Sequence, residues 1–173
     1  MTANRFDKSK LPSRHVSVGP ERAPQRSYYY AMGMTEEEIA RPFVGVVSAG
    51  NDSAPCNTTL NDQADVCREG VIAAGGTPRR FNTITVTDGI AMGHDGMLYS
   101  LPSRDLIADS LEYKVNAHTA DAMVCISNCQ QITPGGAVTA MSRSADATAV
   151  RAQPIASAGL TVEEAAGLSL SEI

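Results

Sequence analysis

Residues 43–57 read FVGVVSAGNDSAPCN. The first six are apolar and mostly β-branched, the pattern of a strand buried on both faces. The rest, Ala49 to Asn57, is loop chemistry, built from Gly, Asn, Asp, Ser and Pro. Leu60 to Ala74 then reads as a helix with an apolar stripe of Ala64, Val66, Cys67, Val71 and Ala74, and Gly75-Gly76 ends it. The same order recurs downstream. Phe81 to Val86 (FNTITV) alternates and is β-branched, so it is expected to be a strand, and Thr87 to Gly96 (TDGIAMGHDG) is a glycine-bearing loop. Ser103 is positioned to cap a helix running to about Val115, with Leu106, Ile107 and Leu111 facing inward. Ala122 to Ser127 (AMVCIS) is a third strand, and Asn128 to Gly136 (NCQQITPGG) a third polar loop.

Strand–loop–helix in repetition argues an α/β fold, a parallel sheet flanked by helices. In such sheets ligands bind beyond the carboxyl ends of the strands. Each unusual loop directly follows a strand, so all three should gather on one edge. That brings Cys56, Asp88, His94, Asp95 and Cys129 toward a single site, although they are far apart in sequence.

Outside this unit, residues 1–27 are rich in charge, Pro and Ser and read as an N-terminal arm or irregular cover. Thr35-Glu36-Glu37-Glu38 has the capping-box pattern that opens a short helix. The α/β domain is expected over residues 28–136. Residues 137–173 read as a divergent Ala/Ser-rich tail with a second capping box at Thr161 to Glu164 and no strong strand signal, Pro154 to Ala158 offering at most an edge piece. No internal repeat is visible.

The chain has 173 residues, enough for one domain with a core, and 43% of them are hydrophobic, as in globular proteins. A net charge of −5 argues against a nucleic-acid surface, which would need a basic face. No apolar run approaches the roughly 18 residues of a membrane span. Met1 to Arg26 lacks the apolar core of a signal peptide, so a cytoplasmic protein is the default expectation. In that setting Cys56, Cys67, Cys125 and Cys129 are not expected to form disulfides. Each reads evenly as a small buried hydrophobe or as a metal ligand.

Thiolates are the usual ligands of iron–sulfur clusters, and Cys56 and Cys129 lie on neighbouring post-strand loops. Cys125 and Cys129 together have a spacing at the edge of the range for zinc, with no second pair nearby, so zinc is the weaker reading. Asp88, just past a strand, suits a hard cation such as Mg²⁺, and suits an Asx turn beside Gly89 equally well. His94-Asp95 reads as donor, ligand or surface turn. No Gly-x-Ser-x-Gly elbow surrounds Ser100 or Ser103, and no GxGxxG or Walker A loop is present.

Two long strings go further. Arg80 to Ala108 reads RFNTITVTDGIAMGHDGMLYSLPSRDLIA, and Val115 to Gly135 reads VNAHTADAMVCISNCQQITPG. With Tyr29 to Ser48 and Ala54-Pro55-Cys56-Asn57, they closely resemble the dihydroxy-acid dehydratases, within the wider family that includes sugar-acid dehydratases. The resemblance covers roughly residues 12 to 136. It implies removal of water from a small 2,3-dihydroxy acid to give a 2-keto acid, in branched-chain amino-acid (valine, isoleucine) biosynthesis. By resemblance, Cys56 and Cys129 are ligands of a 2Fe–2S iron–sulfur cluster, and Asp88 is a Mg²⁺ ligand. The metal stabilises charge on the departing oxygen while a base takes the proton beside the carboxylate.

The sequence departs from the family at its Cys-Asp-Lys motif, which here is Cys129-Gln130-Gln131. In the family the Asp binds Mg²⁺, and the Lys, as a carbamate, does too. Gln130 offers only a neutral carbonyl oxygen, and Gln131 cannot form a carbamate, so divalent-ion affinity should fall. The family's third cluster cysteine and its catalytic serine base belong to later segments, so no catalytic base is assigned within this chain. The expectation is little or no turnover from the chain alone. A second reading stays open: a degenerate, inactive domain that only folds or binds a partner. Family members are dimers, which makes a homodimer the expected assembly; neither nucleic acid nor membrane is an expected partner.

Overall fold

The computed structural model describes residues 6–127. The loop expected at 128–136, with Cys129, Gln130 and Gln131, and the tail at 137–173 lie outside the described residues.

The sheet is parallel and three-stranded, in the order β2-β1-β3. The central strand, β1 (Phe43–Ser48), falls where the sequence puts it and is buried at all six positions. It pairs with β2 (Thr77–Asn82) from Phe43↔Thr77 to Ser48↔Asn82, and with β3 (Ala122–Ile126) from Val44↔Ala122 to Ser48↔Ile126. Flanked on both sides and covered on both faces, it needs an uninterrupted apolar run.

β2 corrects the expectation. It begins four residues before Phe81 and ends at Asn82, so the β-branched run Thr83 to Val86 leaves the sheet. Thr83 N–H donates to the Ser48 carbonyl (2.9 Å), and β1 stops at Ser48, so residues beyond this rung have no partner backbone. Pro78, which pairs with Val44, is tolerated because β2 is an edge strand among the described residues.

Helix α4 (Leu60–Ala73) buries Leu60, Ala64 and Val71, with Cys67 packed beside them. These positions form one face at helical spacing. Val66 lies one residue off that stripe and is 41% exposed, against expectation. The helix ends as Gly75-Gly76 implies. Gly75 has φ +86°, its N–H donates to Ile72 O, and Gly76 N–H donates to Val71 O, the paired bonds of a Schellman cap.

Helix α6 (Pro102–Ala117) buries Ser103, Ile107, Leu111 and Val115, a strict four-residue stripe. Leu106, expected inside, stands off the stripe and is exposed. Ser103 does not cap the helix. It is the second helical residue, and its hydroxyl donates to the Ser100 carbonyl (2.6 Å), while Pro102 takes the first position, where no amide hydrogen is needed.

On the N-terminal side lie α1 (Arg14–Ser17), α2 (Ala23–Ala31) and α3 (Glu36–Ala40). α3 opens on the expected capping box: Glu38 N–H donates to Thr35 Oγ1, and Thr35 N–H donates to Glu38 Oε2. The arm is tied to the amino ends of the strands by Asp121. This carboxylate accepts from Ser13 N–H (2.8 Å), Ser13 Oγ (2.5 Å) and Phe43 N–H (2.7 Å). Lys8 Nζ lies 4.0 Å from it and 3.7 Å above the Phe43 ring, and donates to the Arg41 carbonyl.

Between β2 and α6 the expected loop holds a single helical turn, α5 (Asp88–Ala91), and a 3-10 turn at Asp95–Tyr99. Ile90, Met92, Leu98, Tyr99 and Leu101 are all more than half exposed there, as is Leu106 in α6. No helix among the described residues is long and apolar enough to cross a membrane.

Candidate functional site

The carboxyl edge of the sheet is organised by a polar net. Ser48, the last residue of β1, presents its hydroxyl to Asn61 Oδ1 (3.3 Å) and to Asn82 Oδ1 (3.4 Å), and receives Gly50 N–H (3.3 Å). Asn82 Nδ2 donates to the Gly50 carbonyl and to Asn61 Oδ1, both at 3.0 Å. Asn61 lies in the first turn of α4 and Asn82 ends β2, so the net joins all three elements. A Cβ at Gly50 would sit 2.4 Å from the Asn61 amide oxygen, so a larger residue there would push the Asn61 side chain out of the net.

The post-β1 loop is braced from inside. Asn57 is fully buried and its Nδ2 donates to the Ala49 carbonyl (2.8 Å), as does Asn51 Nδ2 (2.7 Å). Asn51 Oδ1 accepts Ser53 N–H (2.9 Å), closing an Asx turn. Cys56 rides on this frame, half-buried, with its thiol donating to Asn57 Oδ1 (3.0 Å).

Asp88 follows β2 and starts α5. Its Oδ1 accepts a 2.5 Å hydrogen bond from Ser100, whose side chain is buried. Ser100 enters the sequence reading only as a rejected nucleophile; its observed role is to hold the carboxylate. Thr85 and Thr87 lead into Asp88, and their hydroxyl oxygens are buried with no hydrogen-bond partner among the described residues. Buried polar atoms of that kind call for a partner such as water or an ion.

His94 is a turn residue. Its Nδ1 accepts Gly96 N–H (3.0 Å), so the ring is the Nε2–H tautomer, donating to the Ile90 carbonyl (3.0 Å). It thereby caps the 3-10 turn that Asp95 opens, and both side chains are exposed. The other thiols point to structure. Cys125 is buried in β3, where burial pushes its pKa up to about 12, and burial also raises that of Cys67.

The topology thus sets Cys56 and Asp88 on successive loops at one edge. Among the described residues no three His, Cys, Asp or Glu side chains stand close enough to hold a metal ion. The donors fit in kind, a thiol for a soft cluster and a carboxylate for a hard cation, with one of each on the described loops. Ser100 and the Asn61–Asn82 net are what sequence reading misses. Their only signal is a polar residue at a position where the element's pattern turns to the sheet edge.

The domain is of the α/β class, a parallel sheet flanked by helices. The chain belongs to the dihydroxy-acid/6-phosphogluconate dehydratase N-terminal family, whose profile matches residues 41–171. The dihydroxy-acid dehydratase of Parvibaculum lavamentivorans is 64% identical over 135 residues, 78% of this chain and 23% of its own length. Those of Dinoroseobacter shibae and Pelagibacter ubique are 59% and 60% identical, over 78% and 75% of this chain and 23% of their own lengths. The chain therefore spans about a quarter of the length of these curated relatives.

Proposed function

We propose that this chain supplies the front part of a hydro-lyase site that dehydrates 2,3-dihydroxy acids to 2-keto acids, in the synthesis of valine and isoleucine. The observation that carries the reading is the position of Cys56 and Asp88 on successive loops beyond the carboxyl ends of β1 and β2. The identity to proteins named dihydroxy-acid dehydratase supports the choice of reaction.

In this reading Cys56 and Cys129 hold a 2Fe–2S cluster and Asp88 holds Mg²⁺. A bound cluster supplies a Lewis acid for the leaving hydroxyl, and Mg²⁺ anchors the substrate. The chain's own residues do the positioning. Asn57 fixes the Cys56 thiol through its amide oxygen, and ligation requires that thiol to lose its proton and that hydrogen bond. Ser100 fixes the Asp88 carboxylate by its Oδ1. Gln130 and Gln131 bring no charge, so Mg²⁺ is held weakly and turnover is low. Those two residues also favour the second reading, a degenerate domain without activity.

Anaerobic reconstitution followed by iron and sulfide analysis, the visible spectrum, and an assay of 2-keto acid from 2,3-dihydroxyisovalerate with Mg²⁺ separates the two. A cluster that Cys56→Ser abolishes supports the first. A colourless, iron-free protein supports the second. Gln130→Asp with Gln131→Lys should raise Mg²⁺ affinity, and no gain would count against a site shared with Asp88.

A further inference from the structure

A groove of about 520 Å³ runs between α2, the amino half of the sheet and α6, away from the loops that carry Cys56 and Asp88. Its volume is that of a small-molecule pocket. Tyr29, Phe43 and Phe81 give it aromatic walls, and Gly45, without a side chain, leaves the floor low.

The charge lining it is one-sided. Arg79, Arg80, Lys114 and His118 line it, and no Asp or Glu does, although Arg80 is held by Asp65 (2.6 Å). This stands out in a chain of net charge −5. Arg41, Arg68 and Arg80 each meet a carboxylate, at 2.6, 3.2 and 2.6 Å. Arg79 does not among the described residues. Its Nη1 and Nη2 face the sulfurs of Met34 (2.8 Å) and Met32 (3.5 Å), which are weak acceptors, and its guanidinium lies 5.6 Å over the Tyr29 ring. Lys114 Nζ donates to His118 Nε2 (3.2 Å), a neutral acceptor that leaves its charge without a carboxylate among the described residues. Gln25 lines the same groove, with Oε1 buried and unpartnered among the described residues.

We propose that this groove binds a small oxyanion, carboxylate or phosphate, carried on a flat apolar body. The planar fork of Arg79 takes the oxyanion and the aromatic walls take the body. Burial, and then the charges of Lys114 and Arg79, hold the His118 pKa below its ordinary value. A bound anion opposes that effect, so occupancy raises it.

The test uses the full chain and three probes of similar shape: 3-phenylpropionate, phenyl phosphate and neutral 3-phenylpropan-1-ol. Binding is read by calorimetry and by titration of the His118 ring proton in NMR. At least one anion should bind ten-fold or more tighter than the alcohol and raise the His118 pKa. Arg79→Met should remove that preference. Gly45→Ala, whose new Cβ makes only ordinary contacts (3.5 Å to Phe81), should weaken the anion and the alcohol alike. The better-binding anion identifies the oxyanion. Equal binding of anion and alcohol, no binding by either anion, or an unchanged preference in a folded Arg79→Met protein would each overturn the proposal.

Discussion

The Ser100 hydroxyl donates a 2.5 Å hydrogen bond to Oδ1 of Asp88, tying the loop after β2 to the entry of α6. Ser100 also passes its carbonyl to the Ser103 hydroxyl (2.6 Å), so the carboxylate is anchored to the first turn of a long helix. Ser100→Ala leaves an anionic acceptor without this donor. The expected loss is about 1–3 kcal/mol of stability, read from urea unfolding. The same variant should weaken Mg²⁺ binding if Asp88 is a ligand, since the carboxylate's orientation is no longer fixed. Unchanged stability would mean that the loop has another anchor.

Asp121 is the equivalent anchor at the opposite end of the sheet. Its side chain is 3% exposed and accepts three hydrogen bonds, from Ser13 and Phe43. Asp121→Asn keeps the shape but turns a donor toward donors. One buried N–H or O–H loses its acceptor, and a loss of about 2–4 kcal/mol is expected in denaturant unfolding. Early proteolysis of the N-terminal arm should accompany it.

Lys8 beside that carboxylate sets a pH dependence. Burial lowers its pKa from 10.5 to about 8, and the Asp121 charge only partly opposes this. Between about pH 8 and 10.5 the unfolded chain therefore holds a proton that the folded chain has released. Stability rises with pH wherever the unfolded state binds more protons, so Lys8 contributes a rising slope across this window. Lys8→Met should remove it. The difference between wild-type and variant unfolding curves, taken from pH 7.5 to 10.5, isolates the effect from Cys67 and Tyr29, whose raised pKa values act oppositely.

Thiol reactivity should rank the described cysteines. Cys56 is half-buried on a loop, Cys67 is half-buried with its thiol pKa raised by burial, and Cys125 is buried with a pKa near 12. With iodoacetamide at pH 8, peptide mapping should find Cys56 alkylated first and Cys125 last, the latter only on unfolding. Rapid labelling of Cys125 in the native protein would contradict its place in β3.

Particular residues explain what the sequence could disclose. β1 and β3 were legible because buried strands need unbroken apolar runs, and the Thr35 and Gly75 signals were local chemistry read locally. β2 was displaced because pairing follows the partner. Thr83 to Val86 has strand propensity but nothing to pair with, whereas Thr77-Pro78-Arg79-Arg80 has poor propensity and a full register along β1. Val66 and Leu106 were misjudged by a single position, because hydrophobicity alone does not fix the phase of a helix. At the site, topology was enough to bring the Cys56 and Asp88 loops to one edge. The partners of those residues, Asn57 one position on and Ser100 twelve positions on, depend on loop geometry that no periodicity encodes.

The two margins of the sheet have unequal fates. Thr77 N–H points to Pro42 O and Thr83 N–H to Ser48 O, both toward β1. Along a strand the amides alternate, so Pro78 lies at an outward position, where its missing N–H breaks the outer row of donors. On the far side, Asp121 N–H turns inward to Phe43 O, and the outward amides of Ala122, Val124 and Ile126 are intact. Among the described residues the β2 edge has thus lost one outward donor, while the outward row of β3 is complete. Among the described residues, lateral growth, whether by legitimate extension or by mispairing in a concentrated solution, meets the fuller row of donors along β3.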